Sequence, residues 1–152
     1  MVTREAAILL RRLFLIFALA AISNYVWELA QTPLYEGVEL PAAFWHCFVA
    51  ALGDGLLVLI LFVVVAAVMR SHDWYLRPGA ASYVAMAIAG LAVGFAVEWW
   101  GLHIARRWQY SDLMPMVPWA DVGAAPVLQM LLLPPAIFAV ARKLRDRAAA
   151  SR

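Results

Sequence analysis

Four long apolar stretches, separated by short connections, account for most of this 152-residue chain. They cover residues 13–30, 42–69, 80–102 and 122–141, and each can supply the ~20 mostly apolar residues that a helix needs to cross a bilayer. A soluble domain carries about 25% charged residues, whereas this chain carries 14% and is 66% hydrophobic. The sequence therefore predicts an all-α integral membrane protein. We expect one membrane domain, 1–152, in which four transmembrane helices form an antiparallel bundle.

The positions of the basic residues predict how this bundle is oriented. Among the twelve Lys and Arg residues, only Arg106 and Arg107 follow the third span; the others lie before the first span, after the second, or in the C-terminal segment that ends at Arg152. Positively charged loops stay in the cytoplasm. We therefore expect a multi-pass protein of a bacterial inner membrane with both termini cytoplasmic. The connections after spans one and three then face the periplasm.

The tryptophans favour the same predicted outer side. Of the seven in the chain, only Trp74 lies near the predicted inner interface. Indole rings commonly sit at the level of the lipid head groups, which makes an aromatic belt one interpretation. The alternative interpretation is that Trp99 and Trp100, at the end of span three, wall a ligand pocket.

Polar residues inside the spans are the strongest pointers to a site, because an ionisable side chain there costs at least ~2.5 kcal/mol on insertion scales. In span one, Asn24, Glu28 and Gln31 follow one another at intervals that place them on one helical face. In span four, Gln129 is the lone polar residue of the apolar stretch. These four residues are predicted to take part in ligand binding or in a hydrogen-bond network.

Asp54 is the most deeply placed acid of span two. It lies between Gly53 and Gly55, and glycine allows a neighbouring helix to approach closely. Residues 56–69 beyond it contain no polar side chain. We expect the Asp54 carboxylate to point into the bundle and the cytoplasmic half of the protein to be an apolar plug.

Span three combines a helix-packing pattern with a second intramembrane acid. Gly90 and Gly94 form a small-xxx-small contact surface, and the same stripe carries Glu98 towards a helix interface. With Glu28 and Asp54, Glu98 is a candidate for acid–base chemistry.

The prolines of span four predict an interruption of its helix. Pro134 and Pro135 lie within the apolar stretch, and each removes a backbone donor.

Two histidines at the predicted outer side raise the possibility of a metal or haem site. His46 and His103 could together ligate one haem, with Arg106 or Arg107 on its propionates. A soft metal such as copper is a further alternative, for which the additional candidate ligands are Cys47, Met114 and Met116. The spacing of these residues is not specific for any metal.

Three classes of function stay open at this level. The first is a protein with a polar cavity open to the periplasm that binds a lipid-like or small ligand, or acts as an accessory subunit of a larger membrane complex or a homo-oligomer. The second is an enzyme that acts on a lipid or isoprenoid with Glu98, Asp54 and Glu28. The third is binding or transport of haem, a metal or an ion. The sequence does not predict a particular cofactor. The positions of its basic residues indicate the orientation in the membrane and not a surface that binds nucleic acid.

Overall fold

The computed structural model describes residues 3–37, 39 and 41–151, and these residues form an all-helical chain without strands. The four long helices are α1 (Arg4–Gln31), α2 (Ala42–Met69), α3 (Ala80–Trp99) and α4 (Ala124–Ala150). Each is long and apolar enough to cross a membrane, so the protein has the composition of a multi-pass membrane protein. Arg152, one of the cations behind the predicted orientation, lies outside the described residues.

Three of the helices extend past the apolar stretches that predict them. α1 begins at Arg4, where the Thr3 side chain accepts a hydrogen bond of 3.3 Å from the Ala6 amide as an N-cap. α3 is continued by a π-helical turn, Trp100–Ile104. α4 begins at Ala124 and continues through polar residues to Ala150. The apolar stretch predicts where a helix can cross a membrane, whereas caps and turns decide where the helix ends.

The prolines of span four do not interrupt its helix. α4 is continuous through Pro134 and Pro135. Because a proline has no amide hydrogen, Pro134 cannot bond the carbonyl of Met130, four residues earlier. That carbonyl faces Gly90 of α3 so closely that a Cβ atom at position 90 would overlap its oxygen. At the close contact between α3 and α4, a carbonyl group without a helical bond from Pro134 therefore faces a residue without a Cβ atom.

The glycines predicted to mediate helix packing differ in what they contact. The predicted surface of Gly90 and Gly94 is confirmed, since both lie against Met130 of α4. Of the pair around Asp54, Gly55 lies against the Phe17 ring of α1, whereas a Cβ at Gly53 would meet open space. The expectation that both flanking glycines admit a neighbouring helix is therefore wrong for Gly53.

One end of the fold is held together by aromatic packing. Phe62, Trp74, Tyr75 and Phe138, which we call the aromatic cluster, are all buried. The centroids of the Trp74 and Phe138 rings are 4.9 Å apart, and the Trp74 indole donates a 3.3 Å hydrogen bond to the Phe62 carbonyl. This cluster joins α2 and α4 to the connection between α2 and α3.

The other end is closed by two connections that pack together. The segment after α1 and the long segment between Ile104 and Ala124 are joined by backbone hydrogen bonds from Glu36 to Gln109 and from Ser111 to Leu34, each 3.0 Å long. The Ser111 hydroxyl also donates to the Pro33 carbonyl at 2.9 Å. These bonds fix the path of the long connection, which we call the capping loop (105–123), across the end of the bundle.

Candidate functional site

A group of hydrogen-bonded polar side chains lies between α1, α2 and α4. We call this group the polar cluster; its members are Asn24, Glu28, Gln31, Asp54 and Gln129. Gln129 is its hub and is only 2% exposed. Its side-chain nitrogen donates to Asn24 Oδ1 at 2.8 Å, to Asp54 Oδ2 at 2.9 Å and to Glu28 Oε1 at 3.3 Å. The structure thus brings together five of the residues that the sequence marks as site candidates.

The α1 members of the polar cluster also bond to one another. The Gln31 side-chain nitrogen donates to Glu28 Oε1 at 2.9 Å and to Gln129 Oε1 at 3.3 Å. The Trp27 indole donates to Gln31 Oε1 at 3.2 Å, and Asn24 donates to the Ala20 carbonyl at 2.8 Å. These contacts follow from the helical spacing of the three α1 residues, which places them on one inward face.

The polar cluster is short of hydrogen-bond donors. The Gln129 amide carries two hydrogens but has three acceptors within 3.3 Å. The Glu28 and Asp54 carboxyl groups are also direct neighbours of one another. Two adjacent carboxyl groups need a shared proton or a cation between them. The acceptors of the cluster therefore share donors, although every fully buried side-chain nitrogen and oxygen of the described residues has at least one hydrogen-bond partner.

No basic side chain of the described residues forms a salt bridge with these acids, although His46 lies near enough to Glu28 to act on its charge. Within the described ranges, the ion pair between Arg12 and Asp73 is the only salt bridge, and it lies at the other end of the fold. Glu28, Asp54 and Glu98 therefore have no Lys, Arg or His within salt-bridge distance. Intramembrane acids normally pair with another group or face a water-filled cavity; here their partners are the neutral side chains of Gln129, Tyr110 and Trp108.

Glu98 belongs to a second hydrogen-bonded unit beside the polar cluster. It is 6% exposed, and its Oε2 atom accepts a 2.5 Å hydrogen bond from the Tyr110 hydroxyl and a 3.3 Å bond from the Trp108 indole. The Tyr110 hydroxyl in turn accepts from the Gly123 amide at 2.9 Å. Glu98 and Asp54 both direct their carboxylates to protein partners, as expected from the sequence.

Trp108 and Tyr110 are functional candidates that sequence reasoning missed as partners of Glu98. The indole of Trp108 lies against Gly101 in the π-helical turn, where a Cβ atom would overlap the ring. A glycine in the last turn of span three followed by an aromatic-rich loop is the signal in the sequence. This signal indicates aromatic residues near the end of span three, but it does not specify which acid they bond.

The two tyrosines of the connections are held in their neutral form. Burial raises the pKa of Tyr35 above its ordinary value, and the nearby Glu98 carboxylate raises it further. Burial also raises the pKa of Tyr110, with the hydrogen bond to Glu98 as the next cause. The two rings lie side by side, with centroids 5.7 Å apart. Both hydroxyl groups therefore keep their protons at neutral pH, and Tyr110 serves as a donor to Glu98.

The remaining residues predicted to bind a ligand lie on the surface of the bundle. Trp99 and Trp100 are about half exposed, and Arg106 and Arg107 are exposed as well. The imidazole of His103 lies beside the Trp99 ring, with centroids 5.5 Å apart. None of these side chains makes a hydrogen bond to the polar cluster within the part of the chain that is described.

The candidate metal ligands form no evident centre. His46 and His103 are both exposed, whereas Cys47 is buried, with its sulfur 3.7 Å from the Thr32 hydroxyl. Among the residues with described positions, no group of three or more His, Cys, Asp or Glu side chains is arranged to hold a metal ion. Haem or metal binding by the two histidines stays a prediction.

We found no match to this chain among protein-family models, curated proteins or solved structures.

Proposed function

We propose that this protein is a small multi-pass membrane protein that binds a cationic, donor-bearing ligand at the polar cluster. The observation that supports this most directly is a set of three acids, Glu28, Asp54 and Glu98, that have no basic partner within salt-bridge distance among the described residues. A protonated amine supplies both the positive charge and the hydrogen-bond donors that the cluster lacks. In a membrane, the ligand that fits this chemistry is a lipid-like molecule with an ammonium head group.

The supporting geometry also suggests how such a ligand would be held. The Glu28 and Asp54 carboxyl groups would receive the ammonium group, while Gln129 would keep both in place through its bonds of 3.3 and 2.9 Å. The capping loop, bonded to Glu98 through Tyr110 and Trp108, would cover the bound head group. The alkyl part of the ligand would extend along the apolar helices.

A thermal-shift experiment on the protein in mild detergent tests this proposal. We expect dodecylammonium to raise the Tm, and dodecanoate, which has the same chain and the opposite charge, to leave it unchanged. Asp54→Asn should weaken dodecylammonium binding about tenfold, since a charge-assisted hydrogen bond is lost. Glu36→Gln is the matched control, because it removes an exposed carboxylate at the same end. Equal shifts with both amphiphiles, or equal losses in both variants, would contradict the proposal.

For the placement in the membrane, we propose an antiparallel bundle in a bacterial inner membrane with both termini in the cytoplasm. The distribution of Lys and Arg along the sequence supports this orientation. The polar cluster and the capping loop would then face the periplasm, and a ligand would enter from that side. Periplasmic alkaline phosphatase fused after Ser151 should be inactive, and the same enzyme inserted after Asp112 should be active; the reverse pattern would refute the orientation.

A second candidate function is acid–base catalysis on a lipid or isoprenoid. The observation that favours it is the convergence of acids from α1, α2 and α3 together with the 2.5 Å hydrogen bond from Tyr110 to Glu98. A carboxyl group paired with a phenol in this way can hold and return a proton. Mass spectrometry of membrane lipids incubated with the protein should then show a product that Glu98→Gln, folded to the same helicity, does not form.

The protein could also act as an accessory subunit of a homo-oligomer or a larger membrane complex. Native mass spectrometry of the protein extracted in mild detergent would show a mass above that of one chain if this is so.

A further inference from the structure

A cavity of about 530 Å³ lies at the end of the fold opposite the polar cluster. It opens where the connection between α2 and α3 meets the first turn of α3 and the last turns of α4. Its polar lining comes from Ser71, Asp73, Arg77, Ser82 and Arg145. Ligand pockets in proteins commonly measure roughly 300–1,000 Å³, so this cavity is large enough for a small ligand or a lipid head group.

The charge of this cavity is positive. Its single acid, Asp73, is already paired with Arg12, whose guanidinium nitrogen lies 2.5 Å from the carboxylate. Arg77 and Arg145 line the cavity without forming a salt bridge to any described residue. Two guanidinium groups therefore face the cavity with their donors available, and guanidinium is well suited to bind phosphate because of its planar fork of N–H groups.

Ser82 adds an unused hydroxyl group to the cavity wall. The residue is only 5% exposed, it lines the cavity, and its hydroxyl forms no hydrogen bond within the described ranges. No fully buried side-chain nitrogen or oxygen of the described residues lacks a hydrogen-bond partner, so this hydroxyl group is open to the cavity. It can therefore donate a hydrogen bond to an anion held there.

The start of α3 also favours an anion in this cavity. Ser82 lies in the first turn of this helix, and no side chain caps the turn. The first amide groups of a helix have no intrahelical partner, and together they carry a partial positive charge that favours anions. The start of a 20-residue helix, two arginines and the Ser82 hydroxyl thus converge on one space.

We propose that this basic cavity binds a phosphate-bearing anion through Arg77, Arg145 and Ser82. The phosphate belongs either to the head group of an anionic membrane lipid or to a free phosphate. Met69, Leu76 and Trp74, which complete the lining, offer an apolar wall to the glycerol and upper acyl carbons of a lipid. This site is independent of the polar cluster, so its test and the test of the amine site can fail separately.

The full chain in detergent provides the test. Binding of phosphatidylglycerol and of uncharged dioleoylglycerol is measured by native mass spectrometry, and binding of inorganic phosphate by the rise in Tm. We expect the double variant Arg77→Gln/Arg145→Gln to weaken binding of the phosphate-bearing probe about tenfold or more, since charge-assisted bonds are lost. Ser82→Ala, which retains both arginines, should weaken it about threefold through one lost hydrogen bond. Circular dichroism checks that each variant keeps its helicity.

The matched control is Arg11→Gln/Arg147→Gln, which removes the same charge from exposed positions outside the cavity lining. This control distinguishes binding at a specific site from the general attraction of basic residues to anionic lipids. Loss of phosphate-probe binding in the cavity variants only supports the site. Binding of phosphatidylglycerol alone would identify the ligand as a lipid head group, and binding of inorganic phosphate alone would identify it as free phosphate. Equal loss in the control, equal binding of dioleoylglycerol, or no binding of either phosphate probe overturns the proposal. Unchanged binding in Ser82→Ala and in the double variant overturns it as well.

Discussion

The polar cluster and the aromatic cluster lie at opposite ends of α2 and α4 and hold the fold together in different ways. On α1, the buried face carries Ile16 and Ala20 and then, one turn further, Asn24. On α2, Asp54 is followed at helical spacing by the buried residues Val58 and Phe62. One inward stripe of each helix thus changes from polar to apolar along its length.

Because of this change, the two regions stabilise the contacts between helices by different interactions. In a lipid environment, apolar side chains gain little by leaving the lipid, so tight packing and hydrogen bonds hold helices together. The aromatic cluster supplies packing at four buried rings. The polar cluster supplies directional hydrogen bonds, in which three acceptors share the Gln129 amide. The comparison therefore predicts different responses to mutation in the two regions.

The largest expected effect comes from the aromatic cluster. Phe138→Ala removes a ring that contacts Phe62, Trp74 and Tyr75, and such a truncation typically costs about 3 kcal/mol or more. The free energy of unfolding in mixed micelles measures this loss. Leu132→Ala is the control, because Leu132 is on the same helix with its side chain half exposed; a loss as large at Leu132 would show that the aromatic cluster has no special role.

A smaller loss is expected where α3 and α4 approach most closely. Gly90→Ala places a methyl group against the Met130 carbonyl, a backbone atom that cannot swing aside, and overpacking of this kind costs about 1–3 kcal/mol. Gly53→Ala is the matched substitution at a position with open space, and it should be neutral or slightly stabilising because alanine favours helix. If the two variants unfold at the same denaturant concentration, the close approach of α3 to α4 is incorrect.

A third test addresses the polar cluster itself. Gln129→Leu removes the donor shared by Asn24, Glu28 and Asp54, and hydrogen bonds between membrane helices contribute about 0.6 kcal/mol each. We expect a loss of about 1 kcal/mol, smaller than at Phe138, together with a clear loss of dodecylammonium binding. A double-mutant cycle with Asp54→Asn measures the coupling between the two residues. Additive effects would mean that the two side chains do not interact.

The smallest expected effect is a pH dependence from the capping loop. Because folding raises the pKa of Tyr110, the folded state favours the neutral phenol. Its contribution to stability is complete below the unfolded pKa of ~10 and declines as the pH rises above that value. Tyr35, whose pKa is raised by burial as well, contributes in the same direction. Between pH 9 and pH 11, roughly one unit either side of that reference value, the free energy of unfolding of Tyr110→Phe should therefore fall less than that of the wild type. If the free energy of unfolding of the variant falls as steeply with pH as that of the wild type, Tyr110 does not contribute this pH dependence.

The sequence predicts much of this molecule because several of its features are local. Apolar stretches of sufficient length predict four helices, and the described residues form four helices of that kind. The spacing of Asn24, Glu28 and Gln31 predicts a shared face, and the three side chains do enter one network. The pair Gly90 and Gly94 predicts a close helix contact, and Met130 of α4 occupies it.

The sequence does not predict features that depend on how distant segments meet. The prolines of α4 are tolerated because the carbonyl that Pro134 leaves free lies against Gly90 of another helix. The partners of Glu98 follow from the path of the capping loop, which is fixed by bonds to the segment after α1. No local pattern contains this information.

By itself, then, the sequence determined the class of the fold and the helical faces that carry polar residues, because length, hydropathy and helical period are properties of one segment at a time. Only the tertiary structure decided that Gln129 bonds two acids from two other helices, that Tyr110 bonds Glu98, and that Arg77, Arg145 and Ser82 surround one cavity. The physical reason is that rotation and depth of each helix are set by packing against its neighbours. These long-range contacts decide which side chains meet.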